Sequence, residues 1–458
     1  MPSFTLDEIL ECTGGMLLTG RGGRCRVSGV STDTRTIRPN QLFIAIKGEN
    51  FDGHDFLFKA VKLGATMLLV SRADAPRPRG AVIVLVKDTV DALGAVARHH
   101  RLRFPIPLIA ITGSAGKTST KELVAAVLRR KYRVLFNKGT FNNQIGVPST
   151  LLKLTRRHEM AVVELGTNHP GEIAWLARHA CPTVAVFTNV GASHLEGLGS
   201  LAGVYKEKAA LLAFLPDNGG VILNADDLYW RKLLGRRSSR KMVSYGMHAK
   251  ADIRALSVIP GPAGLHFRTG HGHHFSVKSF SPGGVYNALA AIACGRFFGV
   301  PEGQIVDAVR STRPAKGRQC SFKAGGVTVI DDTYNANPVS YMNALQLFHA
   351  PRRGKAILVA GDMLELGASS DALHADVGKA AAAAGVDVLL TYGRGAKLIG
   401  EASRRIRPRS EWRHAGDQDA LTAALKKILR PGDVLLVKGS RGMRMEKVVR
   451  DITVFLKG

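Results

Sequence analysis

A chain of 458 residues is long enough for two to four domains, at about 100–200 residues per domain. Hydrophobic residues make up 45% and charged residues 22%, which excludes an intrinsically disordered chain and is ordinary for a globular protein. The net charge of +28 attracts anions such as nucleotides. A requirement for solubility alone would also explain this excess of positive charge.

Residues 1–104 form the first predicted unit. The apolar residues of 55–63 and 91–102 have helical spacing, and the second of these segments leads to Pro105 and Pro107, where we place a domain boundary. Short apolar runs rich in β-branched residues predict strands at 41–46, 65–70 and 81–86.

Residues 105–315 form the second predicted unit. The segment 265–279 predicts a small antiparallel insert. Elsewhere continuous apolar runs are followed by turns and often by helical patterns, which predicts a parallel sheet covered on both faces. These runs lie at 107–112, 160–165, 183–188 and 220–224.

Residues 316–458 form the third predicted unit and repeat this alternation. The alanine-rich run 379–384 favours a helix. The expected strands lie at 327–331, 356–360, 387–392 and 433–438. The expected fold class is therefore α/β, with three domains and mostly parallel sheets.

The cysteine pattern disfavours both a disulfide framework and a structural zinc site, because five cysteines are widely spaced and no C-x-x-C occurs. The first residues are acidic where a signal peptide would be basic, and no apolar run approaches the ~18 residues of a membrane span. The basic runs at 231–241 and 404–413 do not alternate with aromatic residues as a nucleic-acid platform would. We expect a cytoplasmic protein with no membrane span and no nucleic-acid partner.

The strongest local signal is I-A-I-T-G-S-A-G-K-T-S at 109–119, where a strand ends at Thr112 and a helix begins near Lys117. The backbone N–H groups of 113–118, called the phosphate loop below, and the positive end of the helix suit phosphate oxygens. Lys117 is predicted to hold the β and γ phosphates, and the Thr118 hydroxyl to face Mg²⁺. The fit to the usual motif is incomplete, because Ile111 stands where a glycine is expected, and a chance glycine-rich turn is the alternative.

The T-G-x-x-G-K-T sequence after a strand resembles the Mur ligase and folylpolyglutamate synthetase superfamily. Six further segments resemble Mur ligase motifs in family order, and the resemblance runs from about residue 28 to 450. They are F-N-N-Q-I-G-V-P at 141–148, V-E-L-G-T-N-H-P-G-E at 163–172, T-N-V-G-A-S-H-L-E-G-L-G-S-L at 188–201, I-D-D-T-Y-N-A-N-P at 330–338, G-D-M-L-E-L-G at 361–367 and V-K-G-S-R-G-M at 437–443.

The resemblance implies an ATP-dependent ligase that joins D-alanyl-D-alanine to a UDP-N-acetylmuramoyl-tripeptide through an acyl phosphate. The 330–338 segment favours this branch of the family over sister ligases that add a different amino acid, which remain the alternative. The implied domains are a UDP-substrate-binding domain at 1–104, a P-loop ATPase-like domain at 105–315 and a Rossmann-like dipeptide-binding domain at 316–458. The implied assembly is a monomer.

The resemblance also implies functional roles for individual residues. For each residue the alternative is a purely structural or solvent-exposed side chain. Catalysis is implied for Lys117, Glu164, His194 and Lys208, and metal binding for Thr118, Glu164, His194 and Lys208. Lys208 is the implied carbamylated lysine, with Lys206 as the alternative. ATP contacts are implied for Gly113, Ser114, Ala115, Gly116, Lys117, Thr118, Ser119, Asn287, Arg318, Asp332, Tyr334 and Asn337. Substrate contacts are implied for Ser31, Asp33, Arg35, Asn142, Asn143, Asn335, Lys438, Ser440 and Arg441.

One departure from the family pattern concerns the nucleotide base. Gly283 and Gly284 stand where the family often has His-Asn, near the adenine. Losing two polar side chains predicts a loosened base pocket, and we expect GTP to support the reaction about as well as ATP. Steady-state kcat/KM with each nucleotide measures this, and strict use of ATP contradicts it.

Overall fold

The computed structural model describes residues 2–20, 25–235, 237–261, 263–350 and 352–458, so residue 236 of the basic run 231–241 lies outside the described residues. The fold is mixed α/β with three main sheets, as the alternation of apolar strands and helices predicts. No helix among these residues is long and apolar enough to cross a membrane.

The N-terminal region is a five-stranded sheet of order β2-β7-β6-β5-β4, in which β2 is antiparallel and the other neighbours are parallel. Strands β1 and β3 pair separately. The strands predicted at 41–46, 65–70 and 81–86 are confirmed, and two of them are shorter than expected. The elements are β1 (Ser3–Thr5), α1 (Leu6–Thr13), β2 (Met16–Thr19), β3 (Arg26–Ser28), β4 (Val30–Ser31), β5 (Gln41–Ile44), α2 (Leu57–Lys62), β6 (Ala65–Val70), β7 (Val82–Leu85) and α3 (Thr89–Leu102).

The central region is a nine-stranded sheet of order β16-β15-β14-β13-β12-β11-β8-β10-β9. The predicted antiparallel insert is the hairpin edge of this same sheet and begins earlier than expected, with β14. The elements are β8 (Leu108–Thr112), α4 (Lys117–Leu128), β9 (Val134–Phe136), α5 (Gly146–Leu151), β10 (Met160–Glu164), α6 (Glu172–Ala180), β11 (Val184–Phe187), α7 (Leu195–Leu198), α8 (Leu201–Ala209), β12 (Gly220–Asn224), α9 (Leu228–Leu234), β13 (Lys241–Gly246), β14 (Ile253–Gly261), β15 (Gly264–Thr269), β16 (His274–Val277), α10 (Pro282–Phe297) and α11 (Glu302–Ser311).

The C-terminal region is a six-stranded sheet of order β17-β18-β22-β19-β20-β21, parallel except for β17. All four predicted strands are present. The elements are β17 (Cys320–Ala324), β18 (Val327–Asp332), α12 (Pro338–Leu345), β19 (Ala356–Gly361), α13 (Ser370–Ala383), β20 (Val388–Tyr392), α14 (Arg394–Ile406), β21 (Glu411–Ala415), α15 (Gln418–Ile428), β22 (Val434–Lys438) and α16 (Glu446–Lys457).

The apolar cores connect the first two regions more closely than the third. One continuous cluster runs from Phe4 in β1 to Leu233 in α9, because α3 packs against α1 on one side and against α5 and α6 on the other. Gly94 of α3 lets this approach happen, since a Cβ there would lie 2.8 Å from atoms of Trp175 and His179. Two separate clusters form the core of the C-terminal region. The divisions at 104/105 and 315/316 stay a prediction, although the sheets change within 103–107 and 312–319.

Candidate active site

One cavity of about 650 Å³ is lined by residues from all three regions. It collects most of the residues that the sequence singled out. Those lining it are Ser114, Ala115, Gly116, Lys117, Thr118, Ser119, Asn142, Asn143, Glu164, His194, Asn287, Arg318, Asp332, Tyr334, Asn335, Asn337, Lys438, Ser440 and Arg441.

Strand register explains why residues so far apart in the chain meet. Glu164 is the last residue of β10 and is opposite Ile111 of β8, whose carboxyl end leads into the phosphate loop. In the C-terminal sheet Asp332 of β18 pairs in register with Lys438 of β22. The carboxyl ends of parallel strands open onto the same edge, which is where ligands bind in open α/β sheets.

The phosphate loop contains a backbone conformation with positive φ, which favours glycine. Gly116 has φ 82° and precedes α4, whose N-terminus has no side-chain cap. The amides of Ser114 and Ala115 donate to the backbone and side-chain oxygens of Asn189, each at 2.9 Å, so these two donors are already engaged. The uncapped first turn of α4 is the part of the loop that is suited to an anion.

Lys117 begins α4 and points back over the loop, where its Nζ donates to the carbonyl of Gly113 at 2.7 Å. Its pKa is lowered because burial disfavours the charged form, an effect that Glu164 opposes and Arg318 reinforces. A desolvated lysine held beside an uncapped helix N-terminus is well placed to neutralise phosphate charge.

Glu164 is 1% exposed, and both of its carboxylate oxygens accept hydrogen bonds. The Thr118 hydroxyl donates to Oε2 and the Asn142 amide to Oε1, each at 2.7 Å, while the Glu164 N–H donates to Asn137 Oδ1 at 3.0 Å. Carboxylate and hydroxyl oxygens are the donors that Mg²⁺ prefers. Among the described residues no group of three or more His, Cys, Asp or Glu side chains is arranged to hold a metal ion.

His194 and Glu365 form a contact between the central and C-terminal regions. His194 Nδ1 and Glu365 Oε2 are 2.5 Å apart, and the hydrogen bond from His194 lowers the pKa of Glu365. Both residues have left-handed backbone, with φ of 52° and 64°. Such strain in non-glycine residues concentrates at functional sites. The sequence motif at 361–367 contained Glu365, but only the fold shows its partner.

Lys208 on α8 is 1% exposed, whereas Lys206 is exposed. Burial lowers the pKa of Lys208 well below its usual value, and the charge of Lys117 lowers it further. The neighbouring Glu207 is buried and accepts N–H bonds from Gly171 and Ile173 at the start of α6, both at 2.7 Å. These bonds anchor α8. Lys208 does not line the cavity, and it is close enough to Lys117 for their charges to interact.

The C-terminal wall of the cavity contains a buried ion pair. Lys438 Nζ donates to Asp332 Oδ2 at 2.7 Å and to the carbonyl of Asn335 at 3.1 Å. Burial raises the pKa of Asp332, and Lys438 opposes that shift. The pair is therefore electrostatically costly for either member alone. Lys438 holds the 332–335 turn in place, while Ser440 Oγ donates to the carbonyl of Ala336 at 3.2 Å.

The same wall contacts the central region directly. Asn337 Nδ2 donates to the Ser114 carbonyl of the phosphate loop at 3.1 Å, and the Tyr334 hydroxyl is hydrogen-bonded to Thr140. The Arg318 guanidinium stacks over the Tyr334 ring at 4.2 Å from its centroid. The Arg441 guanidinium also lies over this ring, at 5.6 Å from the centroid. Tyr334 thus contacts both guanidinium groups through its ring and the segment before α5 through its hydroxyl.

Three predicted substrate residues do not line the cavity. Asp33 and Arg35 form an exposed ion pair at 2.7 Å, and Ser31 Oγ accepts from the Asp33 N–H at 3.2 Å, so this turn is satisfied by its own contacts. The N-terminal region instead contributes Val90 and 46–48, which includes the exposed Lys47. The roles of Ser31, Asp33 and Arg35 stay predictions.

Asn287 and the two glycines in the first turn of α10, Gly283 and Gly284, also line the cavity. Asn287 Oδ1 accepts from the Thr120 hydroxyl at 3.0 Å, which ties α10 to α4. A Cβ at Gly283 would make only ordinary contact with Asn343, whereas at Gly284 it would collide with the Ser279 side chain. Only the first glycine therefore leaves room for a larger side chain.

Known proteins match this chain over nearly its whole length. The family models described as Mur ligase family, catalytic domain, as Mur ligase middle domain and as Mur ligase, glutamate ligase domain match 26–101, 111–295 and 317–441. The UDP-N-acetylmuramoyl-tripeptide--D-alanyl-D-alanine ligase of Escherichia coli (strain K12) is 40% identical, with 98% of each chain covered. This chain belongs to the Mur ligase family.

Solved Mur ligases share its architecture. Crystal structure I of MurF from Acinetobacter baumannii is 29% identical, with a TM-score of 0.91 and 99% of each chain covered. MurF from Thermotoga maritima, solved in complex with ADP, is 26% identical, with a TM-score of 0.84 over 94% of this chain and 98% of that one. The three-region arrangement is therefore shared with solved Mur ligases.

The buried ion pair of this Mur ligase generates a stability prediction. Replacing Lys438 by Met leaves the Asp332 carboxylate buried and unpaired, and we expect the free energy of unfolding to fall by about 3 kcal/mol at pH 8. The loss in free energy of unfolding relative to the parent should become smaller as the pH falls from 8 to 5. Losing Lys438 raises the pKa of Asp332 further, so the folded variant takes up a proton that its unfolded chain does not yet bind.

Urea unfolding at both pH values measures this effect. Lys447→Met is the matched control, because Lys447 pairs with Asp419 at an exposed site where ion pairs contribute little. Adding Asp332→Asn to Lys438→Met should restore most of the lost stability. A deficit that is the same at pH 5 and pH 8, or that the second substitution does not relieve, contradicts the assignment.

Proposed function

We propose that this chain is an ATP-dependent ligase that joins D-alanyl-D-alanine to UDP-N-acetylmuramoyl-tripeptide and so forms the UDP-muramoyl-pentapeptide. The observation that carries the proposal is the single cavity that contains the phosphate loop, a buried carboxylate and the polar end of a second parallel sheet. The 40% identity to a ligase of this name over almost the full chain supports the choice of substrates.

The reaction needs activation because a carboxylate carbon is a poor electrophile at neutral pH. The terminal carboxylate of the tripeptide attacks the γ-phosphorus of ATP, and ADP leaves. The amine of D-alanyl-D-alanine then attacks the acyl carbon, phosphate leaves, and the amine loses one proton. Such phosphoryl transfer depends on positioning and on charge neutralisation more than on covalent help from the protein.

Each side of the cavity has a separate task in this proposal. The α4 N-terminus and Lys117 bind the phosphates. Arg318, Asp332 and Asn287, which line the same cavity, contact the rest of the ATP. The C-terminal residues Asn335, Ser440 and Arg441 face the incoming dipeptide. Asn142, Asn143 and the N-terminal region at 1–104 receive the UDP-linked substrate, 105–315 binds ATP and 316–458 binds the dipeptide.

The residues fit a bound Mg²⁺ ion. Thr118 and Glu164 present hard oxygen donors within a buried pocket, and His194 lines the same cavity. A bound Mg²⁺ would neutralise charge on the β- and γ-phosphates. The protein holds Glu164 ready for this by directing both carboxylate oxygens with hydrogen bonds.

A carbamylated Lys208 also fits the structure. Carbamylation requires a neutral amine, and burial favours the neutral form of Lys208 by lowering its pKa. The neutral amine adds to CO₂, an N–C bond forms and a proton leaves, which turns a buried neutral amine into an anion. The carbamate would attract the Lys117 ammonium, whereas a protonated Lys208 would be repelled by it. Lys206, by contrast, is exposed.

Carbon-13 NMR with labelled bicarbonate tests the lysine assignment. We expect a carbamate resonance in the parent protein and in Lys206→Met, and none in Lys208→Met. The resonance should weaken below neutral pH as the amine becomes protonated. A signal that persists in Lys208→Met, or that disappears in Lys206→Met, contradicts the assignment.

Phosphate release from ATP tests the proposed reaction. Release should require ATP, UDP-muramoyl-tripeptide and D-alanyl-D-alanine together with Mg²⁺ and bicarbonate. Lys117→Ala should lower kcat at least about a hundredfold, because it removes a charge that acts on the transferred phosphoryl group. Lys153→Ala, at an exposed lysine outside the cavity, is the matched control. Robust product with another amino acid and none with D-alanyl-D-alanine would identify a sister ligase instead.

A further inference from the structure

A second lysine on α4 has no assigned role. Lys121 lies one helical turn after Lys117 and is 0% exposed. Its Nζ donates to the carbonyls of Asn137 and Gly139 at 2.6 and 2.8 Å, and forms an ion pair with Glu122 at 2.9 Å. Three oxygen acceptors satisfy the three N–H donors of an ammonium group, which offsets the cost of burying its charge.

The two carbonyls belong to a segment without regular structure. No helix or strand lies between Phe136, which ends β9, and Gly146, which begins α5. The segment 137–143, called the linker loop below, connects β9 to α5 and has exposed residues at its tip. Ordering such a loop costs conformational entropy, so fixed anchors decide its position. Lys121 provides two of those anchors.

The linker loop in turn positions the buried carboxylate. Asn137 is 0% exposed, accepts the Glu164 N–H at 3.0 Å and donates from Nδ2 to the Phe141 carbonyl at 2.9 Å. Asn142 donates to Glu164 Oε1 at 2.7 Å, and its own carbonyl accepts the Gly166 N–H at 2.9 Å. The contacts therefore form an unbroken path from Lys121 through Asn137 and Asn142 to Glu164.

We propose that Lys121 is a positioning residue that orients Glu164 through the linker loop. It does not touch the reacting atoms, and it acts by holding Asn142 against the carboxylate. The loop also contacts the C-terminal region through Thr140 and Tyr334, so the same anchor sets where that region meets the central one. The inference rests on the proposed function, because Glu164 is taken as the ligand of the divalent cation.

Metal binding, rather than activity alone, tests the proposal. Mn²⁺ serves as the probe for the Mg²⁺ site, and electron paramagnetic resonance measures its dissociation constant with ADP in the full chain. Lys121→Met should weaken Mn²⁺ binding about tenfold, as is usual when a group that orients a metal ligand is removed. KM for ATP should change much less than kcat, because Lys117 and the α4 N-terminus remain.

Two comparisons separate positioning from general destabilisation. Lys131→Met is the matched control, since Lys131 also donates to a carbonyl, that of Gly299 at 2.8 Å, but is exposed beyond the end of α4. It should bind Mn²⁺ like the parent. Asn142→Ala removes only the last link, so the double variant Lys121→Met/Asn142→Ala should be no worse than the weaker-binding single variant.

Each outcome decides something different. If the parent protein does not bind Mn²⁺ with ADP, the proposed function fails. If the parent binds and Lys121→Met binds equally well, only the positioning role of Lys121 is overturned. Additive losses in the double variant also overturn it. Should Lys121→Met fail to fold, Lys121→Arg keeps the charge but holds its N–H donors in a larger planar group, and its Mn²⁺ affinity must then lie between those of the parent and Asn142→Ala.

Discussion

The site depends on one constraint, which is that the carboxylate of Glu164 is buried, with only 1% of the residue exposed. Glu164 is stable there only because donors from two other segments, Thr118 and Asn142, reach its two oxygens. Meeting that requirement fixes α4 and the linker loop relative to β10. The uncapped helix end and Lys117 follow from the same placement, so one electrostatic requirement arranges both the proposed phosphate site and the proposed metal site.

The interfaces between the regions differ in kind. The first two regions share an apolar core through α3, whereas the third meets the central one at the cavity through the polar contacts of Asn337, Tyr334 and Glu365. Apolar packing resists sliding, while hydrogen bonds at a wet cavity exchange readily with water or ligand. Relative motion is therefore easiest between the central and C-terminal regions, which together line most of the cavity.

Local patterns made the sheets and the phosphate loop predictable, because a strand, a glycine turn and a helix are encoded within a dozen residues. The partners of these residues were not predictable, since they come from distant segments: Asn189 binds the loop amides, and Glu365 meets His194. Lys121 did leave a signal. It lies three and seven residues before Val124 and Leu128, on the apolar stripe of α4, where a charge needs buried acceptors. The 31–35 turn resembled a substrate segment, yet its polar groups bond to one another.

The shared core of the first two regions determines how far the effect of a single substitution spreads. A continuous apolar cluster unfolds cooperatively. A substitution at Gly94, which does not itself line the cavity, would therefore disturb the packing of α6 and with it the sheet that carries Glu164. Changes confined to the two C-terminal clusters would leave that sheet intact. Mutational tolerance should therefore follow the boundaries of the cores rather than distance from the ligands.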